Sequence, residues 1–374
     1  MDIQPQTYAR RILLAVTGMS PQVVTETLWS LAVQQQPAFV PTEVHVVTTE
    51  AGAERIRLQL LAEGGFFHQL RDDYGLPLIQ FGTEQIHVIG DARGPLADIR
   101  GPMDNEVAAD FLTSLVQNFT EDAEVALHVS LAGGRKTMGY YLGYALSLFG
   151  RPQDRLSHVL VSAGYESSPQ FFYPTPAQKI IYVGHDQQPL DAAKAEIDLA
   201  VIPFVRLRDD LPKGYLRGQT RFTEVVAAAN RALQTPLLEI DMQAGVVRAD
   251  GQVVTQNPLQ MALCWWLAES AQDSEPAVDW CASEAADTFL AKLRRLLPEM
   301  SAELEGAEKA LSWRKSDPSE NKGYFAPLRT RTEQAFAEIL GPSAARRYAI
   351  RKLGQRGREP WYGFVLDPDQ ILIR

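Results

Sequence analysis

Apolar runs alternate with stretches of helical periodicity through the first half of the chain. Residues 11–17 (RILLAVT) are an apolar run that ends at Gly18, and 21–35 then read as a helix. Residues 43–49 (EVHVVTT) predict a second strand, 53–70 a helix, and 85–89 a weaker strand. In 104–119 the residues Val107, Phe111, Leu112 and Leu115 recur at helical spacing. A strand over 124–132 (EVALHVSLA), a helix over 136–149 and a strand over 156–162 follow. Repeated β-α units of this length predict an α/β domain, Rossmann-like in the broad sense, with a mainly parallel sheet and helices on both faces.

The pattern changes in the second half. Between about 185 and 213 the periodicity weakens, as in a connection between domains, and a helix covers 221–233. Residues 237–247 and 251–254 read as short strands around the turn Ala249-Asp250-Gly251. Asn257-Pro258 then opens a helix with a good cap and a proline at its first position. Further helices are expected over 282–297 and 328–340, with a shorter one over 344–353. Residues 361–366 followed by 370–374 look like a two-stranded wing, so a smaller α+β, winged-helix-like domain is expected. The predicted division is a ligand-binding domain over 1–185, a linker and connecting helix over 186–235, and the C-terminal domain over 236–374.

Composition narrows the class. With 374 residues, 45% hydrophobic and 22% charged, the chain is too apolar for disorder and long enough for two cores. It carries no apolar run of the roughly 18 residues that would span a bilayer, and residues 1–11 lack the apolar stretch of a secretory signal. A cytoplasmic protein is therefore expected. Two cysteines, Cys264 and Cys281, make neither a disulfide framework nor a four-ligand zinc site. A net charge of −10 argues against a general nucleic-acid coat, although a local basic site stays open.

Ligands of open α/β sheets sit at the βα turns beyond the carboxyl ends of the strands. In the turn Thr17-Gly18-Met19-Ser20-Pro21-Gln22, Ser20 either caps the helix or offers a hydroxyl beside free N–H groups to a phosphate. It is no nucleophile elbow, because Gln22 stands where that motif needs glycine. In Ser130-Leu131-Ala132-Gly133-Gly134-Arg135-Lys136-Thr137-Met138, two glycines admit close approach, and two cations fall at the start of the next helix. Cations there oppose the helix dipole, which an anion between them would relieve; solvated surface charge is the plainer alternative. Arg135 replaces the glycine that a P-loop needs before its lysine, and no GxGxxG follows the first strand. In Asp98-Ile99-Arg100-Gly101-Pro102-Met103-Asp104-Asn105, Arg100 could meet phosphate and Asn105 a base, or Asp104 simply caps a helix. The aromatics of 165–173 (YESSPQFFY) either stack on bases or belong to the core. His45, His87, His128 and His158 fall inside strand patterns and read as structural; no metal-ligand cluster is visible.

Taken together, LLAVTGMSPQVVTETLW (13–29), VHVVTTEAGAERI (44–56), DIRGPMDNEVAADF (98–111) and LHVSLAGGRKTMGYYLGYALSLFGRPQDRLSHVLVS (127–162) resemble CRISPR-associated Rossmann-fold (CARF) proteins, closest to their ring-nuclease branch. The resemblance spans about residues 10–185. It implies a homodimer that binds a cyclic oligoadenylate, cyclic tetra-adenylate above all, and cleaves it without metal or cofactor. It puts Ser20 and Lys136 in the positions that serve the reaction. The expected ligand-binding set is Thr17, Gly18, Met19, Gln22, Thr49, Arg100, Asn105, Gly133, Gly134, Arg135 and Thr137. The alternative it leaves is a ligand-controlled regulator that binds DNA through the C-terminal domain without cutting the ring. Arg346, Arg347, Arg351, Lys352, Arg356 and Arg358, followed by Trp361 and Tyr362, are a basic cluster suited to that task. An Arg/His ribonuclease effector is excluded, since no histidine follows His185.

Overall fold

The computed structural model describes residues 3–374 apart from 167, 185, 219, 274–276, 313–316 and 357–358. Ser167, His185 and Arg358 therefore lie outside the described residues. Two compact units result, one of residues 1–208 with 216–225, the other of 209–215 with 226–374.

The first unit begins with β1 (Arg10–Val16), α1 (Gln22–Trp29), β2 (Glu43–Thr48), α2 (Glu50–Ile56) and α3 (Phe66–Asp73). It continues through β3 (Ile86–Val88), a two-residue-armed hairpin β4 (Gly90–Asp91) and β5 (Gly94–Pro95), and the long α4 (Pro102–Glu121). Then come β6 (Val125–Ser130), α5 (Lys136–Phe149), β7 (Arg155–Val161), the hairpin β8 (Ile180–Val183) and β9 (Gln188–Asp191), and β10 (Ile197–Val201). Six of these strands form one sheet in the order β10-β7-β6-β1-β2-β3. All its pairings are parallel except that of β10 with β7. The fold is thus α/β with a mainly parallel, Rossmann-like sheet, as the pattern predicts. The central strands read as unbroken apolar runs because helices cover both faces; all six residues of β6 are buried.

Two expectations need correction here. The helix predicted over 53–70 is interrupted, since Gly64 takes a positive φ of 72° and the chain restarts at Phe66. The stretch read as a featureless connection contains β9 and β10. The latter is an antiparallel edge strand that buries only Ile197 fully, so it shows no apolar alternation.

The second unit takes in the end of α6 (Phe222–Asn230), followed by β11 (Leu238–Asp241), β12 (Val246–Ala249), β13 (Gln252–Val254) and α7 (Pro258–Gln272). Next are β14 (Val278–Asp279), α8 (Ala285–Leu296), α9 (Ala302–Ser312) and α10 (Asn321–Leu340). The short α11 (Pro342–Ala345), β15 (Ile350–Arg356), β16 (Glu359–Phe364) and β17 (Ile371–Ile373) complete it. As expected, Asn257 caps α7, its side chain accepting from Gln260 N at 2.9 Å. The terminal pairing differs from the expectation. Residues 350–353, expected to end a helix, instead open the strand β15, which pairs with β16, and β14 adds a third. The tail β17 instead lies parallel to β11. The helix-forming composition of 344–353 is overridden by burial of Tyr348, Ile350 and Phe364 in the unit's core.

Candidate functional site

The strand order reverses between β1 and β6, which are hydrogen-bonded neighbours although α1 and β2 lead away to one side and β7 lies on the other. A crevice beyond the carboxyl ends of these strands is the expected ligand site of such a sheet. Three turns meet there. A Cβ on Gly133 would stand 2.8 Å from Val16 O, 3.1 Å from Thr17 Cα and 3.1 Å from Val23 Cγ2, so only glycine lets the β6-α5 turn lie against the β1-α1 turn. A Cβ on Gly52 would meet Thr48 Oγ1 and Gly18 O, which brings the start of α2 against the same place. Gly134 adopts a φ of 81°, a left-handed conformation that turns the chain into α5.

These turns enclose a cavity of about 580 Å³, within the range of small-molecule sites. Of the residues expected to bind or react, Gly18, Met19, Ser20, Thr49, Arg100, Gly133, Gly134 and Arg135 line it. Ser20 is exposed and makes no capping bond to α1, whose first position is preceded by Pro21. The turn is held instead by Thr17, which is fully buried and donates its hydroxyl to Ser20 O at 2.8 Å.

Five expected residues stand outside the cavity lining. Thr17 does the structural work just described. Lys136 and Thr137 are exposed in the first turn of α5, and Lys136 has no hydrogen-bond or ion-pair partner among the described residues. Gln22 is half-buried with an unpartnered Oε1. Asn105 donates its amide to Gly101 O at 3.0 Å, back onto its own helix start. Asp104 caps α4, its Oδ2 accepting from Arg100 N at 2.9 Å and Gly101 N at 3.0 Å.

Asp98 is a lining residue that the sequence reading did not single out. Arg135 donates Nε to Asp98 Oδ1 at 3.1 Å and a second N–H to Oδ2, while Arg100 Nε reaches Oδ2 at 3.3 Å. Arg135 foremost, then the Ile99 N–H, holds the Asp98 carboxyl down at about 2. Only the recurrence of Asp and Arg at one sheet end could have signalled this pair, 37 residues apart.

Three of the strand histidines bond to neighbours within the sheet. His45 stacks on His87 and bonds it at 2.8 Å, and also bonds Glu43 at 2.9 Å. His128 bonds Ser157 Oγ at 2.7 Å. Phe171, Phe172 and Tyr173 are buried, Phe172 stacking on Phe66, so these aromatics belong to the core. Glu26 on α1 is buried without a partner among the described residues, and burial raises its carboxyl to about 8. Among the described residues no three His, Cys, Asp or Glu side chains gather as a metal site, and no helix is long and apolar enough to cross a membrane.

Residues 20–235, from Ser20 through the Gly133-Gly134 turn to the connecting helix, match the family described as CRISPR-associated protein NE0113. The chain belongs to that family. No curated protein matches this CRISPR-associated chain. Among solved structures, Enterococcus italicus Csm6 bound to cyclic hexa-2'-fluoro-hexa-dAMP is similar at 12% identity and a TM-score of 0.27. The match covers 87% of this chain, which spans about 60% of the length of that Csm6.

In the second unit of this CRISPR-associated protein the basic cluster is divided. Arg347 is absorbed by folding: it pairs with the buried carboxylate of Asp250 and donates to Arg231 O at 2.9 Å. Arg346, Arg351 and Lys352 are exposed. Tyr362 stacks on Trp280 with ring centroids 4.0 Å apart, inside the fold.

Proposed function

We propose that this protein is a metal-independent ring nuclease of type III CRISPR signalling. Its substrate is a cyclic oligoadenylate, foremost cyclic tetra-adenylate, held at the two-fold axis of a homodimer. A four-membered ring suits a two-fold axis because each protomer meets an identical half. The observation that carries the reading is the cavity where the serine turn and the Gly133-Gly134-Arg135 turn converge, with an unpaired Lys136 at the adjoining helix start.

The reaction needs no external nucleophile. A ribose 2'-hydroxyl attacks the adjacent 3'-phosphate, its P–O bond forming as that to the next 5'-oxygen breaks. The proton passes to solvent and the 5'-alkoxide takes one up. Two such cuts give linear di-adenylate ending in a 2',3'-cyclic phosphate. Lys136 supplies charge to the phosphorane as a mobile point cation, and Ser20 orients the phosphate or the attacking hydroxyl. Arg135 and the N–H groups of Gly133 and Gly134 bind the neighbouring phosphate. The one carboxylate among the described residues lining the cavity, Asp98, is held at about 2 and is too weak a base to draw the proton. A slow enzyme is expected, which suits a timer on a signal.

Incubation with cyclic tri-, tetra- and hexa-adenylate in EDTA, with products separated and weighed by mass spectrometry, tests the reading. Linear di-adenylate with cyclic phosphate from the tetramer ring is expected. A ring bound tightly and returned intact favours the second reading, a sensor acting on DNA through a winged-helix-like second unit. Exposed Arg351 and Lys352 on β15 are the observation on its side.

A further inference from the structure

Both arginines that line the cavity are already turned onto one carboxylate. Asp98 accepts two bonds from Arg135, one from Arg100 Nε at 3.3 Å and one from its neighbour's Ile99 N at 2.8 Å. It is the single acidic residue among the described residues lining the cavity. Its two oxygens thus receive the planar, forked donor pattern that a phosphate takes from arginine. Arg135, half-exposed at the N-terminus of α5, is bent towards the loop before α4 rather than left towards the glycine turn.

We propose that Asp98 is an internal stand-in for the substrate's phosphate, a latch that occupies Arg135 until an anion displaces it. Asp98 therefore sets a threshold on affinity: a bound phosphate gains the Arg135 fork only by giving up the Asp98 pair, while repelling the Asp98 charge it replaces. This rests on the reading of the cavity as a phosphate site. It also gives the loop over 97–101 two states, pinned to α5 when empty and released when occupied. The threshold selects for ligands that present phosphates to Arg135 and the glycine turn together, and against lone weak anions.

Asp98→Asn keeps the shape and the bond from Ile99 N but removes the charge. Binding of cyclic tetra-adenylate and, separately, of inorganic pyrophosphate is measured by titration calorimetry for wild type, Asp98→Asn, Arg135→Ala and the double variant. A latch makes Asp98→Asn bind both probes about two- to five-fold tighter, the upper range of an exposed pair. The gain should shrink in the Arg135→Ala background to what loss of the Asp98 repulsion alone gives, and Arg135→Ala should weaken binding more in Asp98→Asn than in wild type; an equal or larger gain in Arg135→Ala would overturn the latch. If Asp98→Asn binds pyrophosphate as wild type does, or more weakly, the latch is overturned and Asp98 only positions Arg135. Tighter pyrophosphate binding by Asp98→Asn, with no variant binding the nucleotide ring, upholds the latch and overturns the ring as substrate.

Discussion

Replacing Glu26 by glutamine should stabilise the first unit, although the substitution removes a charge and adds no contact. Glu26 sits on α1 between Val23 and Trp29, three residues away on either side, and both pack against the cluster of Val159, Phe171, Ile181 and Ile197. Glu26 is 5% exposed, and burial alone raises its carboxyl from 4.5 to about 8. A group whose folded value is raised binds its proton more tightly when folded, so between 4.5 and 8 stability falls as pH rises. Keeping that proton at pH 7 opposes folding by at most about 3 kcal/mol, an upper bound because the effective interior dielectric exceeds that of dry protein. A glutamine in its place has the same shape and no proton to hold. Glu26→Gln should raise the first unit's melting temperature at pH 7 by up to about 6–12 °C. It should also abolish the loss of roughly 1.5 kcal/mol that the wild type suffers between pH 6.5 and 8. Urea unfolding read through hydrogen exchange of the β1 and β6 amides isolates this unit from the other. Equal stability with an unchanged pH slope would refute the argument, and would mean that Glu26 is ionised and paired.

Two further predictions follow from geometry alone. Gly133→Ala drives a Cβ into Val16 O and Thr17 Cα, which are backbone atoms and cannot yield cheaply; a loss of about 1–3 kcal/mol and at least tenfold weaker ring binding are expected, checked by thermal melts and titration. Arg347→Ala leaves the buried Asp250 carboxylate without its cation, at about 3 kcal/mol, whereas exposed Arg351→Ala should stay within about 0.5 kcal/mol by the same melts.

What the sequence disclosed follows from how local each signal is. The runs 11–17 and 124–132 announce doubly covered strands by themselves, and Gly133-Gly134 announces a tight turn, so a mainly parallel sheet with its βα turns could be placed. Long-range pairings could not. Asp98 meets Arg135 only because β1 and β6 are neighbours and the loop before α4 reaches the same edge. Nothing local marks Glu26 as buried; Val23 and Trp29, one turn to either side of it, pack against residues of β7 to β10 more than a hundred positions away. At the other end of the chain, the helix formers Ala344, Ala345 and Leu353 masked a strand whose partner is fixed by core burial. Arg347 looked like part of a basic surface because nothing local betrays Asp250.

On the proposed function, Lys136 stabilises the cleavage transition state rather than the bound ring. Single-turnover cleavage of cyclic tetra-adenylate in EDTA, with protein in excess over ring, tests it in wild type and Lys136→Ala. The variant's rate should fall by about 10²–10³-fold while ring affinity stays within about tenfold. Equal rates in the two proteins, or an intact ring with both, would contradict it.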